Sequence, residues 1–180
     1  SSDVTIDPNT ISSALNSSDV LIYTGDGSST ANITISSAIN YTGSNHRTLT
    51  FKARNNIYVN NDITSSNAPL NLIFWNSIGF NGSTVDINSA SINTNGGLLA
   101  MTGGPGSENL TDISGNNVSI GNGYSAKYSL NGNGVKVHSG SIIDTSGGDV
   151  VIRGRSDYTG SDGTGSNFGV NIEGSSIKSG

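Results

Sequence analysis

Short runs in which apolar and polar residues alternate recur along the whole chain, and the clearest lies between Val85 and Met101. Val85 and Ile87 form an apolar pair two apart. A Ser-Ile step follows (Ser91, Ile92), then a polar corner ending in Gly96-Gly97, then a second apolar run from Leu98 to Met101. The same order returns from Val135-Lys136-Val137 through Ser141-Ile142 and Gly147-Gly148 to Val150-Val151-Ile152, and begins again at Val170-Asn171-Ile172 and Ser176-Ile177. The step from the first Val to the Ser is the same in all three copies. Alternation over a few positions, with β-branched side chains and Gly or Asn at the corners, is the pattern of half-buried strands.

Each run is too short to bury its own apolar face, so the units must stack on one another. No interval is long and periodic enough for the helices of βαβ units. The expected fold is therefore all-β, a right-handed parallel β-helix (a solenoid) with short loop excursions, as one segment over residues 1–180. Coils of roughly 20 residues with insertions in loops fit the uneven spacing. Seven to nine of them, at about 4.8 Å each, make a rod of about 35 to 45 Å.

In chain order, Asp7-Pro8 followed by Ile11, Ala14 and Leu15 predicts a short helix, with Asp7 as N-cap and Pro8 at its first position. Val20 to Tyr23 reads as a buried strand closed by the turn Gly25-Asp26-Gly27. Residues 1–30 thus differ from the rest and read as a junction with a preceding domain. Ile33 to Ile39 is a first repeat-like unit, Leu49 to Ala53 alternates cleanly, and Asn55-Asn56 makes a corner. Ile57 to Val59 and Ile63 lead to Leu70 to Trp75, where Leu70, Leu72 and Phe74 share one face and Ile73 and Trp75 the other. A large apolar group therefore faces outward or lies under the next loop, Asn76 to Ser83, which contains Phe80. Pro105 to Asp112 reads as a second loop, Val118 to Ile120 as a return to the ladder, and Tyr124, Tyr128 and Leu130 as a third short piece. Tyr158 to Asn167 is the longest polar loop.

Composition supports this reading. Only 32% of residues are hydrophobic and 12% charged, with 25 Gly and 3 Pro. Disordered chains of such polarity usually carry more charge and lack evenly spread Val, Ile and Leu. The Gly and Asn are better placed as corner residues that tolerate positive φ. The absence of Cys fits export in an unfolded state. No apolar run reaches the length that spans a bilayer, so no membrane insertion is expected. A net charge of -5 with 8 Lys plus Arg, none clustered, argues against nucleic acid.

Together, TIDPNTISSALNSSDVLIYTG, LTFKARNNIYVNNDITSSNAPLNLIFW and VDINSASINTNGG resemble the exoproteins of bacterial two-partner secretion, above all filamentous haemagglutinin and the high-molecular-weight adhesins. The likeness covers most of residues 5–104 and returns from 135 to 180. It implies a long right-handed β-helical protein, exported through an outer-membrane two-partner transporter and displayed on the cell surface or secreted as an adhesin, with a host-cell receptor or glycan as partner. The family's secretion domain carries Asn-Pro-Asn motifs. Asp7-Pro8-Asn9 departs from them, so the chain reads as an internal fragment, and transporter recognition falls on no residue. Two other functions are compatible with the pattern: the stalk of a contact-dependent growth inhibition toxin, and a polysaccharide-degrading β-helix.

Chemistry is sparse, and the expectation is a protein that is not an enzyme and has no cofactor. His46 and His138 stand far apart and read as surface or corner residues. Asp144, Asp149, Arg153, Arg155 and Asp157 lie close in sequence and could converge for polysaccharide cleavage, but solvated charges on a rod account for them equally. Asp157, Asp162-Gly163 and Asp26 match neither calcium-loop spacing and read as turns, so no metal is expected. The candidate partner-binding rings are Trp75, Phe80 and Tyr158, with Tyr124 beside them, able to stack on sugars or anchor a protein. Sequons at Asn16, Asn32, Asn40, Asn81, Asn109 and Asn117 are candidate glycosylation sites because the adhesins it resembles are modified at such sequons. About six would arise by chance in so Asn-, Ser- and Thr-rich a chain, so their number carries no weight.

Overall fold

The computed structural model describes residues 5–25, 31–76, 82–127, 132–156 and 167–180. Apart from one short helix the described elements are strands, and most of them pair in parallel. A first ladder stacks β2 (Ile33–Ile35), β5 (Ile57–Val59), β8 (Val85–Asn88), β13 (Val135–His138) and β17 (Val170–Ile172). A second stacks β3 (Ile39–Tyr41), β6 (Ile63–Ser65), β9 (Ser91–Asn93), β14 (Ile142–Asp144) and β18 (Ser176–Lys178). A third runs through β1 (Val20–Tyr23), β4 (Arg47–Lys52), β7 (Leu70–Asn76), β10 (Leu99–Thr111) and β15 (Val150–Ile152). The chain visits the ladders in the same order on each pass, first, second, third. The described residues thus make five strands in each short ladder, fewer than the seven to nine coils expected, because long insertions leave the stack.

Parallel register turns the alternation of each strand into continuous apolar rows. Ile33, Ile57, Val85, Val135 and Val170 lie one above another, as do Ile35, Val59, Ile87, Val137 and Ile172. The second ladder contributes Ile39, Ile63, Ile92, Ile143 and Ile177. The third contributes Leu49, Leu72, Leu99 and Val150, and beside them Phe51, Phe74, Met101 and Ile152. These rows meet in one core, where the Phe51 and Phe74 rings stack at 5.8 Å. Each fully buried side chain of this size contributes about 1.5–3 kcal/mol, which no single short strand could gather alone.

Polar ladders hold the corners. Asn32 Oδ1 accepts from the Asn56 backbone N–H at 3.0 Å, and Asn56 Oδ1 accepts from the Thr84 N–H at 2.9 Å, so each pass satisfies the one above. Before the third ladder, a hydroxyl closes each turn onto a carbonyl: Tyr41 onto Asn45, Ser65 onto Ala68, Thr94 onto Gly97 and Thr145 onto Gly148. The Gly pairs divide the work. Gly96 and Gly147 take φ of 92° and 97°, where a side chain is strained. Gly148 sits so close to the pass below that an added Cβ would lie 2.0 Å from the Gly97 carbonyl oxygen.

The repeated Ser-Ile step is not in structural register. Ile142, not Ser141, pairs with Ser91, and Ile143 pairs with Ile92. Between β13 and β14 the turn carries two positive-φ residues, Ser139 and Gly140, where Ser89 alone serves between β8 and β9. The extra residue shifts everything after it by one, which leaves Ile142 49% exposed and Ile143 buried.

At one end, α1 (Pro8–Leu15) starts as expected: the Asp7 carboxylate caps Asn9 N–H at 2.8 Å, with Pro8 in the first turn. Its buried Ile11 and Leu15 face β1, β3 and β4. Arg47 reaches back to the Leu15 carbonyl at 3.0 Å and Asp19 accepts from Thr48 N–H at 2.8 Å. The strand Val20–Tyr23 forms, but as an edge with alternate exposure rather than a buried strand, since the third ladder ends there.

Residues 105–111, expected as a loop, belong to β10. That strand leaves the third ladder at Gly103, bends where Gly104 has φ of 93°, and pairs antiparallel with β11 (Asn117–Gly123). Val118 to Ile120 therefore does not resume the parallel ladder. A further pair, β12 (Ser125–Lys127) with β16 (Gly154–Ser156), brings the chain back. Tyr128 and Leu130, the Asp26-Gly27 turn, and residues 158–166 of the long polar loop lie outside the described residues.

Candidate functional site

The β10–β11 hairpin lies on the outer face of the third ladder, and the most built polar cluster among the described residues surrounds it. Because successive residues of a strand face opposite ways, the inward Leu72 and Phe74 leave Ile73 and Trp75 pointing out. The hairpin covers them: Ile73, Trp75, Leu98, Ala100, Val118 and Ile120 form a second apolar cluster, with Leu110 and Val151 at its margin. Trp75 is 5% exposed, its indole N–H donates to the Gly104 carbonyl at 2.7 Å, and the Lys52 ammonium stands 3.8 Å over its ring. The cover closes tightly over it, since a Cβ on Gly121 would lie 2.7 Å from the indole. The outward direction of Trp75 follows from alternation, and among the described residues its cover is this hairpin; residues 77–81 of the loop that follows Trp75 lie outside the described residues. A ligand cannot stack on this ring while the hairpin is in place.

Two polar contacts fasten the hairpin. On its flank, Arg153 pairs with Glu108, which holds the Glu108 carboxyl below and the Arg153 guanidinium above their usual ranges. At its tip, Asp112 is buried and accepts from Asn71 Nδ2 at 2.9 Å and from the backbone N–H groups of Ser114 and Asn116, each at 2.9 Å. Burial alone would raise the Asp112 carboxyl, but these donors outweigh it and hold it below the ordinary carboxylate value. His46 Nε2 lies 3.2 Å from the same carboxylate, out of line for a hydrogen bond, and its Nδ1 stands 3.2 Å from Asn116 Nδ2. His46 thus belongs to a cluster that the sequence does not announce.

Beside the tip lies an open polar groove of about 450 Å3 lined by Asp19, His46, Arg47, Asn71, Asn116 and Asn117 among others. A second depression of about 290 Å3 adjoins it, with Leu21, Thr48 and Thr50 on one side and Asn117, Val118 and Ser119 on the other. The groove offers hydrogen-bonding groups of both kinds.

The other candidate residues do not gather there. Phe80 and Tyr158 lie outside the described residues, as does Asn81. Tyr124 is exposed just before β12. The sequon residues Asn16, Asn32, Asn40, Asn109 and Asn117 are all exposed, but Asn32 already serves a corner ladder, and Asn40, in the middle of β3, accepts from the Thr64 hydroxyl of β6 at 2.8 Å. Asp144 closes its own turn onto Ser146, and Arg153 is committed to Glu108. His138 bridges Asp86 at 2.9 Å and the Ser139 hydroxyl at 2.9 Å on an open corner. Among the described residues no three His, Cys, Asp or Glu side chains come together to hold a metal. No helix of the described chain is long and apolar enough to cross a membrane. Comparison with protein-family models, with curated proteins and with solved structures gives no match.

Proposed function

We propose that this chain is a right-handed parallel β-helical segment of a secreted or surface-displayed bacterial adhesin of the two-partner type, a stiff shaft that carries a receptor- or glycan-binding surface on its side. The observation that carries this reading is the three-ladder path with uninterrupted apolar rows, since a stack of this kind extends by repetition and holds loops at fixed distances along one axis. Polar ladders at the corners, without disulfides, suit a chain that crosses a membrane unfolded and folds outside. The exposed face around the hairpin groove is where such a shaft would meet a partner.

A glycan array and a panel of host-cell monolayers, probed with the purified chain, test the reading. Saturable binding to one glycan class or cell type is the expected result. Absence of binding from a sample with a β-rich circular dichroism spectrum overturns the adhesive role and leaves the shaft. Trp75→Ala is unsuited as the control, because the ring is packed under the hairpin; substitutions at exposed groove residues such as Asn117 serve instead.

A further inference from the structure

The hairpin covers only part of the face on which it lies. On the third ladder the outward row runs Leu21, Thr50, Ile73, Ala100, Val151, one residue per strand. Val118 and Ile120 of β11 close over Ile73 and Ala100, while Leu21 at the far end of the row is 58% exposed. The covering sheet stops at β11, which pairs with no described strand other than β10. The adjoining depression of about 290 Å3 lies where one more strand of that sheet would run, lined by Asp19, Val20, Leu21, Thr48 and Thr50 from the ladder side and by Asn117, Val118 and Ser119 of β11.

We infer that the free edge of β11 and the uncovered face of β1 and β4 together receive an extended segment of another protein, which adds as a third strand to the β10–β11 sheet. The interface would continue one that already exists: β11 lies beside β10 and over Ile73, and the added strand lies beside β11 and over Thr50 and Leu21, about 4.8 Å further on. Edge strands that must stay unpaired usually carry charge, Pro or a bulge. β11, NVSIGNG, carries no charged residue and no Pro. Backbone hydrogen bonds to the edge would supply most of the attraction, and alternate side chains of the segment would read the ladder side. The expected segment has an apolar residue at every second position, directed at Leu21 and Thr50, and small or polar residues between.

A phage-displayed library of ten-residue linear peptides, selected on the whole chain, tests this, with the enriched peptides then made with a fluorescein label. Alternating apolar sequences are expected, with affinity falling at least tenfold on Leu21→Glu, on Thr50→Glu, and on N-methylation of every second peptide amide. Both side chains reach the groove, so circular dichroism of the two variants should match the parent. Peptides that bind both variants unchanged overturn the inference, as do N-methylated peptides that bind equally well, or a selection without enrichment. Self-association of the chain that Leu21→Glu abolishes, without peptide binding, would overturn it in favour of a second copy as the occupant.

Discussion

The two ends of the stack are built from the same kind of residue and live in opposite surroundings. At the first end α1 lays Ile11 and Leu15 against the edge strands, and Arg47 and Asp19 tie the helix and the turn after it to β4. At the other end Val170 and Ile172 occupy the inward rows of Val135 and Val137, which are fully buried, yet are 37% and 47% exposed because no described layer lies above them. Phe168, just before them, is exposed as well. Sequence pattern decides which way a side chain points, while the next layer decides what that direction is worth.

The sharpest test compares positions along one row. Ile87 and Ile172 share a row, separated by Val137. Ile87→Ala should cost about 2–5 kcal/mol in urea unfolding, since the side chain is fully buried between neighbours on both sides and the cavity cannot collapse. A smaller cost would mean that the middle of the stack is as loose as its end. Leu15→Ala should come next, at about 2–4 kcal/mol, because Leu15 is fully buried but held by a single helix that can shift. Hydrogen exchange should show the loss concentrated in β1 and β3, as expected of a locally opening unit.

These comparisons bear on what the sequence could reveal. The paired Val and Ile positions mark strands because inward rows need them in every pass, and Asp7-Pro8 marks the helix because capping is local. The one-residue slip after β13 was not legible, since Ser141-Ile142 and Ile142-Ile143 both fit a strand, and the choice rests on a turn with two positive-φ residues. The hairpin was hidden by Gly103, Gly104, Pro105 and Gly106, which punctuate like a loop while only bending a strand. Nothing near Asp112 announces Asn71, which is distant in sequence, so the polar cluster at the tip could not be read before the fold brought the two together.

The hairpin's tip gives a smaller effect with a definite pH sense. Its hydrogen-bond donors hold the folded Asp112 carboxyl below its ordinary value, so its contribution is fully present above the unfolded value and disappears as pH falls through the folded one. Trp75 fluorescence, which reports the hairpin's cover, should therefore be flat from pH 5 upward and change only in stronger acid. Asp112→Asn should loosen the hairpin at neutral pH by about 1–3 kcal/mol, because the new amide would turn a donor toward the Asn71 amide. Fluorescence unchanged in that variant would show that the hairpin holds without the carboxylate at its tip, through the apolar cluster and the Arg153–Glu108 pair.

The smallest effect belongs to the open end. Ile172→Ala removes the same atoms as Ile87→Ala, yet nearly half of the side chain already meets solvent and one side of it has no described neighbour. The transfer term is therefore partial, and no enclosed cavity is left behind, so the expected cost is below about 1 kcal/mol. Ile172→Lys sharpens the point, because a long side chain can lay its stem on Val137 while its ammonium stays in water. Its urea midpoint should stay near that of the parent, whereas a charge at Ile87 should prevent folding. If Ile172→Lys unfolds the chain, something covers the last layer in solution, and the contrast between the two ends is one of partners rather than of exposure.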